Sequence, residues 1–295
     1  MPLADGSMIP GMFTAVVTNP VDIVKVRQQL QTQGPGSVWS VTSRMLRTEG
    51  FMSLMKGTSA SILREGTYST IRLGTYEMFK DLLKKNTQGI FDSEGLPLKV
   101  TSSIIAGTLG SAIANPTDLV KIRMQAYYPS GSPYRSMRHA FASIYHETLP
   151  GSVGPPRSSL INGMQSMYRG VIPTVARGWA VAACQMPAYD HTKQWLKRRD
   201  LLREGVYAHL AASSFAGLVV SLASNPVDVV KVRIMNDTTS QYRGIWHCVM
   251  SIMRYEGPTA FYKGFGMCWA RLGTHTIVTY MIYEQLRLLA GVKPL

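Results

Sequence analysis

A nine-residue stretch, Asn19-Pro20-Val21-Asp22-Ile23-Val24-Lys25-Val26-Arg27, returns as Asn115-Pro116-Thr117-Asp118-Leu119-Val120-Lys121-Ile122-Arg123 and again as Asn225-Pro226-Val227-Asp228-Val229-Val230-Lys231-Val232-Arg233. Each copy ends an apolar run and sets a proline, an acid and two bases at the same offsets. Copies about 100 residues apart mark three similar units, taken as 1–95, 96–203 and 204–295, rather than two ordinary soluble domains. Other features keep the same register. A glycine precedes each proline by nine residues (Gly11, Gly107, Gly217). An acid follows each proline (Glu49, Glu147, Glu256), then a base with glycine (Lys56-Gly57, Arg169-Gly170, Lys263-Gly264). Eight residues past that base stand Arg64, Arg177 and Arg271, and twelve further on comes Tyr-acid-x-x-base.

Charged residues make up only 16% of the chain, well under the roughly 25% of soluble domains, and hydrophobic residues 45%. Val100–Asn115 and Leu210–Pro226 are nearly free of charge and rich in Gly, Ala and Ser, which suits close helix packing inside a bilayer. The expected fold is an all-α membrane protein. Six transmembrane helices, near 7–31, 58–84, 97–126, 171–197, 206–236 and 265–290, would form a threefold pseudo-symmetric bundle. Short amphipathic segments (Val38–Thr48, Ser136–His146, Gly244–Tyr255) fall within each unit. Unit two carries extra residues at about 149–164, where Gly151 to Pro156 predict a flexible loop. The net charge of +14 is spread along helices and their flanks, not gathered in a nucleic-acid module. It points to an anionic membrane surface or anionic solutes, and no nucleic-acid partner is expected. Cys184, Cys248 and Cys268 show neither disulfide nor metal spacing, and neither a metal nor a catalytic constellation is expected.

The repeated charges limit what such a bundle can do. Asp and Lys three residues apart share a helix face, and a bilayer helix carries them on its lipid side only at large cost. Asp22, Asp118 and Asp228 are therefore expected to pair between helices with Lys25, Lys121 and Lys231. Pro20, Pro116 and Pro226 would kink those helices and draw their ends inward. The tyrosine motif repeats this logic at the far end: Tyr76, Tyr189 and Tyr283 introduce Glu77, Asp190 and Glu284, with Lys80, Lys193 and Arg287 as partners. Two rings that cannot both stay shut imply alternating access. Between them, Arg64, Arg177 and Arg271 lie about 18 Å along a helix from the tyrosines. Three guanidinium groups at that depth call for an anion, which arginine grips bidentately. One and two turns on, the copies diverge. Tyr68, Val181 and His275 are followed by Arg72, Gln185 and Thr279, so Arg64, Tyr68 and Arg72 form an i, i+4, i+8 stripe able to span a small dicarboxylate. His275 would be a proton-sensitive contact.

These residues resemble the mitochondrial carrier family, whose repeat reads Pro-x-acid-x-x-base-x-base, then acid-Gly, then aromatic-base-Gly. Met55 replaces the aromatic before Lys56-Gly57, and the extra residues separate Glu147 from its glycine. The resemblance implies six tilted helices, three short matrix-side helices, the inner mitochondrial membrane and alternating access by a monomer. It makes the proline ring the matrix gate and the tyrosine ring the cytoplasmic gate. It also implies glutamine braces on the matrix ring, here Gln29 and Gln125, with Met235 in the third place. Cardiolipin, as a structural lipid, would bind near Gly57, Gly170 and Gly264, and no other cofactor is implied. Arg64-x3-Tyr68-x3-Arg72-Leu73-Gly74, Gln185 and the stretch from Ala270 to Thr276 are similar to the branch of 2-oxoglutarate and dicarboxylate carriers and uncoupling proteins. Glu65 and Gly178 depart from that branch. The expected function is exchange of small anionic metabolites such as malate or 2-oxoglutarate. A regulated proton or anion leak is the alternative, and a degenerate carrier with a docking role is a remote one.

Overall fold

The computed structural model describes residues 8–32, 37–86, 96–129, 131–147, 159–198, 206–238, 241–275 and 278. Helices dominate, and no strand occurs among the described residues. Unit one contains α1 (Met8–Leu30), α2 (Val38–Glu49) and α3 (Thr58–Asn86), with a 3-10 turn over Phe51–Met55. Unit two contains α4 (Leu96–Ile113), α5 (Asn115–Gln125), α6 (Met137–Tyr145), α7 (Ser159–Met167) and α8 (Val171–Arg198). Unit three contains α9 (Val206–Asn236), α10 (Ile245–Tyr255), a 3-10 turn over Pro258–Tyr262, and a helix over 265–275, here α11.

The long helices close a ring. Neighbours pack in the order α1, α3, α4 with α5, α8 and α9. α11 lies on α9, where the Trp269 indole donates to the Ser214 carbonyl (3.1 Å), and reaches back to α1 through Met267. The main apolar core sits among the three proline-motif segments, where Val26, Leu119, Val120, Ile122, Val232 and Met235 interlock beneath α6 residues Ala140 and Ile144. The outer faces carry exposed apolar residues such as Phe13, Val17, Leu109, Ile113, Phe215 and Leu222. Among the described residues, only Ser213–Asn236 is long and apolar enough on composition alone to cross a membrane, while Val100–Ile113 is apolar but shorter. The repeated charges lower the mean apolarity of the others, although those charges point inward.

Two expectations need correction. α1 and α9 run through Pro20 and Pro226, whereas the helix of unit two breaks into α4 and α5 at Ala114. Thr117 stands where the other copies have valine, and at the break the Ala114 carbonyl keeps the helical N–H of Asp118 (3.1 Å) and gains the Thr117 hydroxyl as a further donor (2.7 Å). The extra segment of unit two is not a loop throughout. Residues 148–158 lie outside the described part, but Ser159–Met167 is helical, taking the place of the 3-10 turns in units one and three. Beyond Pro156 no helix breaker except Gly163 remains, and Leu160, Ile161, Met164 and Met167 fall at helical spacing.

Candidate functional site

The six residues of the proline motifs meet as their offsets predict. Each aspartate takes the lysine of the next repeat: Lys121–Asp22 at 2.6 Å, Lys231–Asp118 at 2.7 Å and Lys25–Asp228 at 2.6 Å. All three aspartates are buried. The ring is closed, and its members line a cavity of about 60 Å³.

The arginines eight residues past the base-glycine pairs are not suspended above this ring. Each reaches the second oxygen of a ring aspartate. Arg64 Nε donates to Asp118 Oδ1 (2.8 Å), Arg271 Nε lies 2.9 Å from Asp22 Oδ1 without hydrogen-bond alignment, and Arg177 pairs with Asp228. Every ring carboxylate thus holds two cations from two different helices. Glu65 adds one more acid, 2.8 Å from Arg64, and interacts electrostatically with Arg271 and His275. Three lysines and three arginines face three aspartates and Glu65, so each cation has an acid beside it but the level carries a net excess of two positive charges.

Above this floor lies a cavity of about 180 Å³, walled by α3, α4 and α8 and lined among others by Arg64, Tyr68, Arg72, Arg177, Gln185 and Arg271. The α3 stripe differs from expectation in its chemistry. Arg64 and Arg72 lie 5.0 and 5.9 Å from the centroid of the Tyr68 ring, so they stack on its faces rather than flank its hydroxyl. Tyr68 in turn packs on Gly110 of α4, where a Cβ would stand 3.4 Å from the ring. His275 is half-buried and does not line this cavity. It interacts electrostatically with Arg271 and Glu65.

Three repeated arrangements beneath the ring were not anticipated as contacts. The last arginine of each motif binds the acid of its own repeat: Arg27 to Glu49, Arg123 to Glu147 and Arg233 to Glu256. Its Nε crosses to the next repeat, donating to the Gln125, Met235 and Gln29 carbonyls respectively (3.2, 3.0 and 3.1 Å). The motif asparagines donate to carbonyls at the turn ahead of the following helix: Asn19 to Leu54, Asn115 to Met167 and Asn225 to Phe261 (3.1, 3.1 and 2.8 Å). Their threefold recurrence was the available signal. Lys56 and Lys263 also bind their acids, at 2.5 and 2.6 Å, but Arg169 binds Asp237 of unit three at 2.8 Å. The α7 segment intervenes between Glu147 and Arg169 and redirects that base.

Outside the helical ring, the carboxyl of Glu49 is held below its ordinary value by the Arg27 hydrogen bond, against the opposing effect of burial. For Glu256, burial pushes upward, yet hydrogen bonds from Arg233 and Lys263 leave the carboxyl below its ordinary value. Burial pushes the Cys248 thiol up to about 11, and all three cysteines are free.

The expected glutamine braces take other roles here. The Gln125 amide donates to Asn19 Oδ1 (3.1 Å), and the Gln29 amide has no hydrogen-bond partner. The reason lies in packing: this position faces the base-glycine turn of a neighbouring repeat. A Cβ on Gly57 would stand 3.1 Å from Gln125 Cγ, one on Gly170 2.8 Å from Met235 Cγ, and one on Gly264 3.3 Å from Gln29 Cγ. All three glycines also have positive φ (74°, 80° and 81°), so both space and backbone demand glycine. Of the second ring, Glu77 is exposed and Tyr76 and Lys80 are half-buried. The side chains of Tyr189, Asp190 and Lys193, and all of Thr279, Tyr283, Glu284 and Arg287, lie outside the described residues.

Comparison with known proteins agrees with the threefold plan. The family model described as mitochondrial carrier protein matches residues 6–87, 92–154 and 203–293. The chain is 37% identical over 298 residues to the mitochondrial substrate carrier family protein ucpB of Dictyostelium discoideum, covering 96% of this chain and 94% of the relative. It is 35% identical to a probable mitochondrial 2-oxoglutarate/malate carrier protein of the same organism, over 95% of this chain and 87% of the relative. It is 33% identical to mitochondrial uncoupling protein 3 of Arabidopsis thaliana, over 97% of this chain and 93% of the relative. The three-copy proline motif, its closed charge ring and these matches along nearly the whole chain place this protein in the mitochondrial carrier family, whose members are transporters of the mitochondrial membrane.

Proposed function

We propose that this protein exchanges small dicarboxylates or oxo-acids, such as malate and 2-oxoglutarate, across the inner mitochondrial membrane by alternating access. The observation that carries the reading is the charge at the cavity floor. The floor carries a net excess of two positive charges over its fixed acids, Arg72 adds another higher on the wall, and a dicarboxylate supplies two negative charges. The name of the 35% identical relative supports the choice of solute.

In this reading α1, α3, α4 with α5, α8, α9 and the helix begun by α11 each cross the bilayer, and one copy of the chain transports alone. The Asp–Lys ring is the matrix gate and is shut. Tyr76, Glu77, Lys80 and their counterparts in the other repeats form the cytoplasmic gate. The arginines couple the cavity to the gate. A solute carboxylate that takes Arg64, Arg177 or Arg271 competes with a ring aspartate for that cation, so filling the cavity redistributes charge at the gate. Cardiolipin phosphates would sit at the helix starts after Gly57, Gly170 and Gly264, where unpaired backbone N–H groups attract anions. Those glycines are also required for packing.

The test is uptake of labelled malate or 2-oxoglutarate by proteoliposomes. Uptake should depend on internal dicarboxylate or phosphate. If no internal anion supports it, the reading fails. A regulated leak is the second reading, favoured by the 33% identical uncoupling protein. Fatty-acid-driven proton leak blocked by purine nucleotide, without anion exchange, would establish that reading instead. A purely docking role fits poorly with three intact ring pairs and three inward arginines.

A further inference from the structure

The second repeat departs from its neighbours on the outside, and α7 is the largest departure. Its sequence, Ser159-Leu160-Ile161-Asn162-Gly163-Met164-Gln165-Ser166-Met167, carries no charge. The inner face is committed. Gly163 lies against the Tyr145 ring of α6, the Ser166 hydroxyl donates to the Glu147 carbonyl (3.0 Å), and Met167 packs on the main core. The outer face is uncharged and mostly apolar: Leu160, Ile161 and Met164 are 70%, 59% and 57% exposed, with Gln165 exposed beside them. A helix facing water would carry charged side chains there.

The short helices of the other repeats show what this face replaces. The second residue of α2 is Trp39 and that of α10 is Trp246, both strongly exposed and joined by Leu46 on α2 and by Met250 and Met253 on α10. The second residue of α6 is Arg138, and its exposed positions include His139, Ala142 and Ser143. Unit two has therefore lost the outward tryptophan and the large apolar side chains that accompany it. α7 lies beside α6 and restores apolar area on the same short-helix layer. Three residues separate it from α8, and exposed apolar side chains run on along the chain through Tyr168 (36%) to Ile172 (67%), the second residue of that long helix.

We propose that the Leu160, Ile161 and Met164 face of α7 lies in the bilayer interface and anchors the second repeat to the membrane, in the place that Trp39 and Trp246 hold in the other two. The occupant is lipid, because the face leads along the chain into the exposed apolar start of α8 and lacks the charges that a water-facing or polar partner surface would need. The inference rests on the bilayer placement of α8 in the reading above.

The test uses the whole protein in vesicles of phosphatidylcholine, phosphatidylethanolamine and cardiolipin that contain a lipid with a chain-borne photoreactive diazirine. Peptide mass spectrometry then locates the adducts. Adducts on Leu160, Ile161 or Met164, together with adducts on Ile172, are expected. Leu160→Asp with Met164→Asp should lose the α7 adducts and keep those on Ile172. Adducts on Ile172 with none on α7, or α7 peptides modified instead by a water-borne reagent, overturn the anchor while leaving the bilayer placement intact. Cross-links between α7 segments of two copies overturn it in favour of a self-contact. Absence of lipid adducts from both α7 and α8 overturns the anchor and the bilayer placement together.

Discussion

The ring and the cavity above it arise from the same three repeats but obey different rules. In and beneath the ring, four contact types are threefold: aspartate with lysine, aspartate with arginine, motif arginine with glutamate, and asparagine with the turn carbonyl. One helical turn higher the copies part, with Tyr68, Val181 and His275, then Arg72 and Gln185. A surface that closes around a threefold axis must pull equally on three helices, so its parts repeat. A wall that recognises an unsymmetrical solute gains nothing from repetition. The arginines belong to both regions, since they bind ring aspartates from below and line the cavity from above.

The strongest attack on this division is at those arginines. Arg177→Ala should cut malate exchange by about 10- to 100-fold, the value of a charge-assisted hydrogen bond of about 1.5–3 kcal/mol. The ring survives, because Asp228 keeps Lys25. Exchange at wild-type rate would remove the arginines from the site. A charge swap comes next. Asp22→Lys with Lys121→Asp rebuilds a simple pair, but it places a lysine against Arg271, 2.9 Å from the replaced carboxylate. The swap should therefore recover little exchange, and full recovery would mean that the arginine contact carries no weight.

Stability separates the repeats further. Arg123→Ala should cost about 3 kcal/mol as a broken buried pair. Arg27→Ala should cost less, because Glu49 keeps Lys56, whereas Glu147 has Arg123 as its ion-pair partner among the described residues. Thermal unfolding in detergent compares the two, and equal losses would show that Lys56 contributes nothing. Acid titration reads the same layer more weakly. Glu49 and Glu256 have carboxyls below the ordinary value of 4.5, so their contribution is complete above that pH and declines as the pH falls below it. The unfolding midpoint of the wild type should drop on acidification, with a shallower slope in Glu256→Gln. The smallest effect is expected at position 29. Gln29→Met copies the third repeat, removes a buried amide without a hydrogen-bond partner, and should stabilise by about 1 kcal/mol while leaving exchange unchanged. A large loss of exchange would restore Gln29 as a brace.

Much of the fold was legible because the repeat is strict. The spans of α1, α3, α8 and α9 and of the three short helices follow from apolar runs and from motifs that recur at fixed offsets. The break at Ala114 was not, since all three copies carry the proline and only the second interrupts its helix there. The helical part of the extra segment was hidden by the glycine and proline cluster before it. Within the site, the Asp–Lys pairs could be read as obligatory partners, because charges inside a bundle need neighbours. The Arg–Glu and Asn–carbonyl contacts recur just as strictly in the sequence, but their partners lie 22 to 52 residues away around a turn whose course local pattern does not reveal.

Sequence alone determined the threefold plan, the helical class, the identity of the ring residues and the gathering of arginines above the ring. These follow from periodicity and from the cost of charge in an apolar medium, and both act residue by residue. Only the tertiary structure decided which lysine meets which aspartate, that each ring carboxylate is shared with an arginine, that two guanidinium groups lie over the Tyr68 ring, and that position 29 packs on the turn at Gly264 instead of bracing the ring. Those outcomes depend on how closely three helices approach around an axis, a distance that no single repeat encodes.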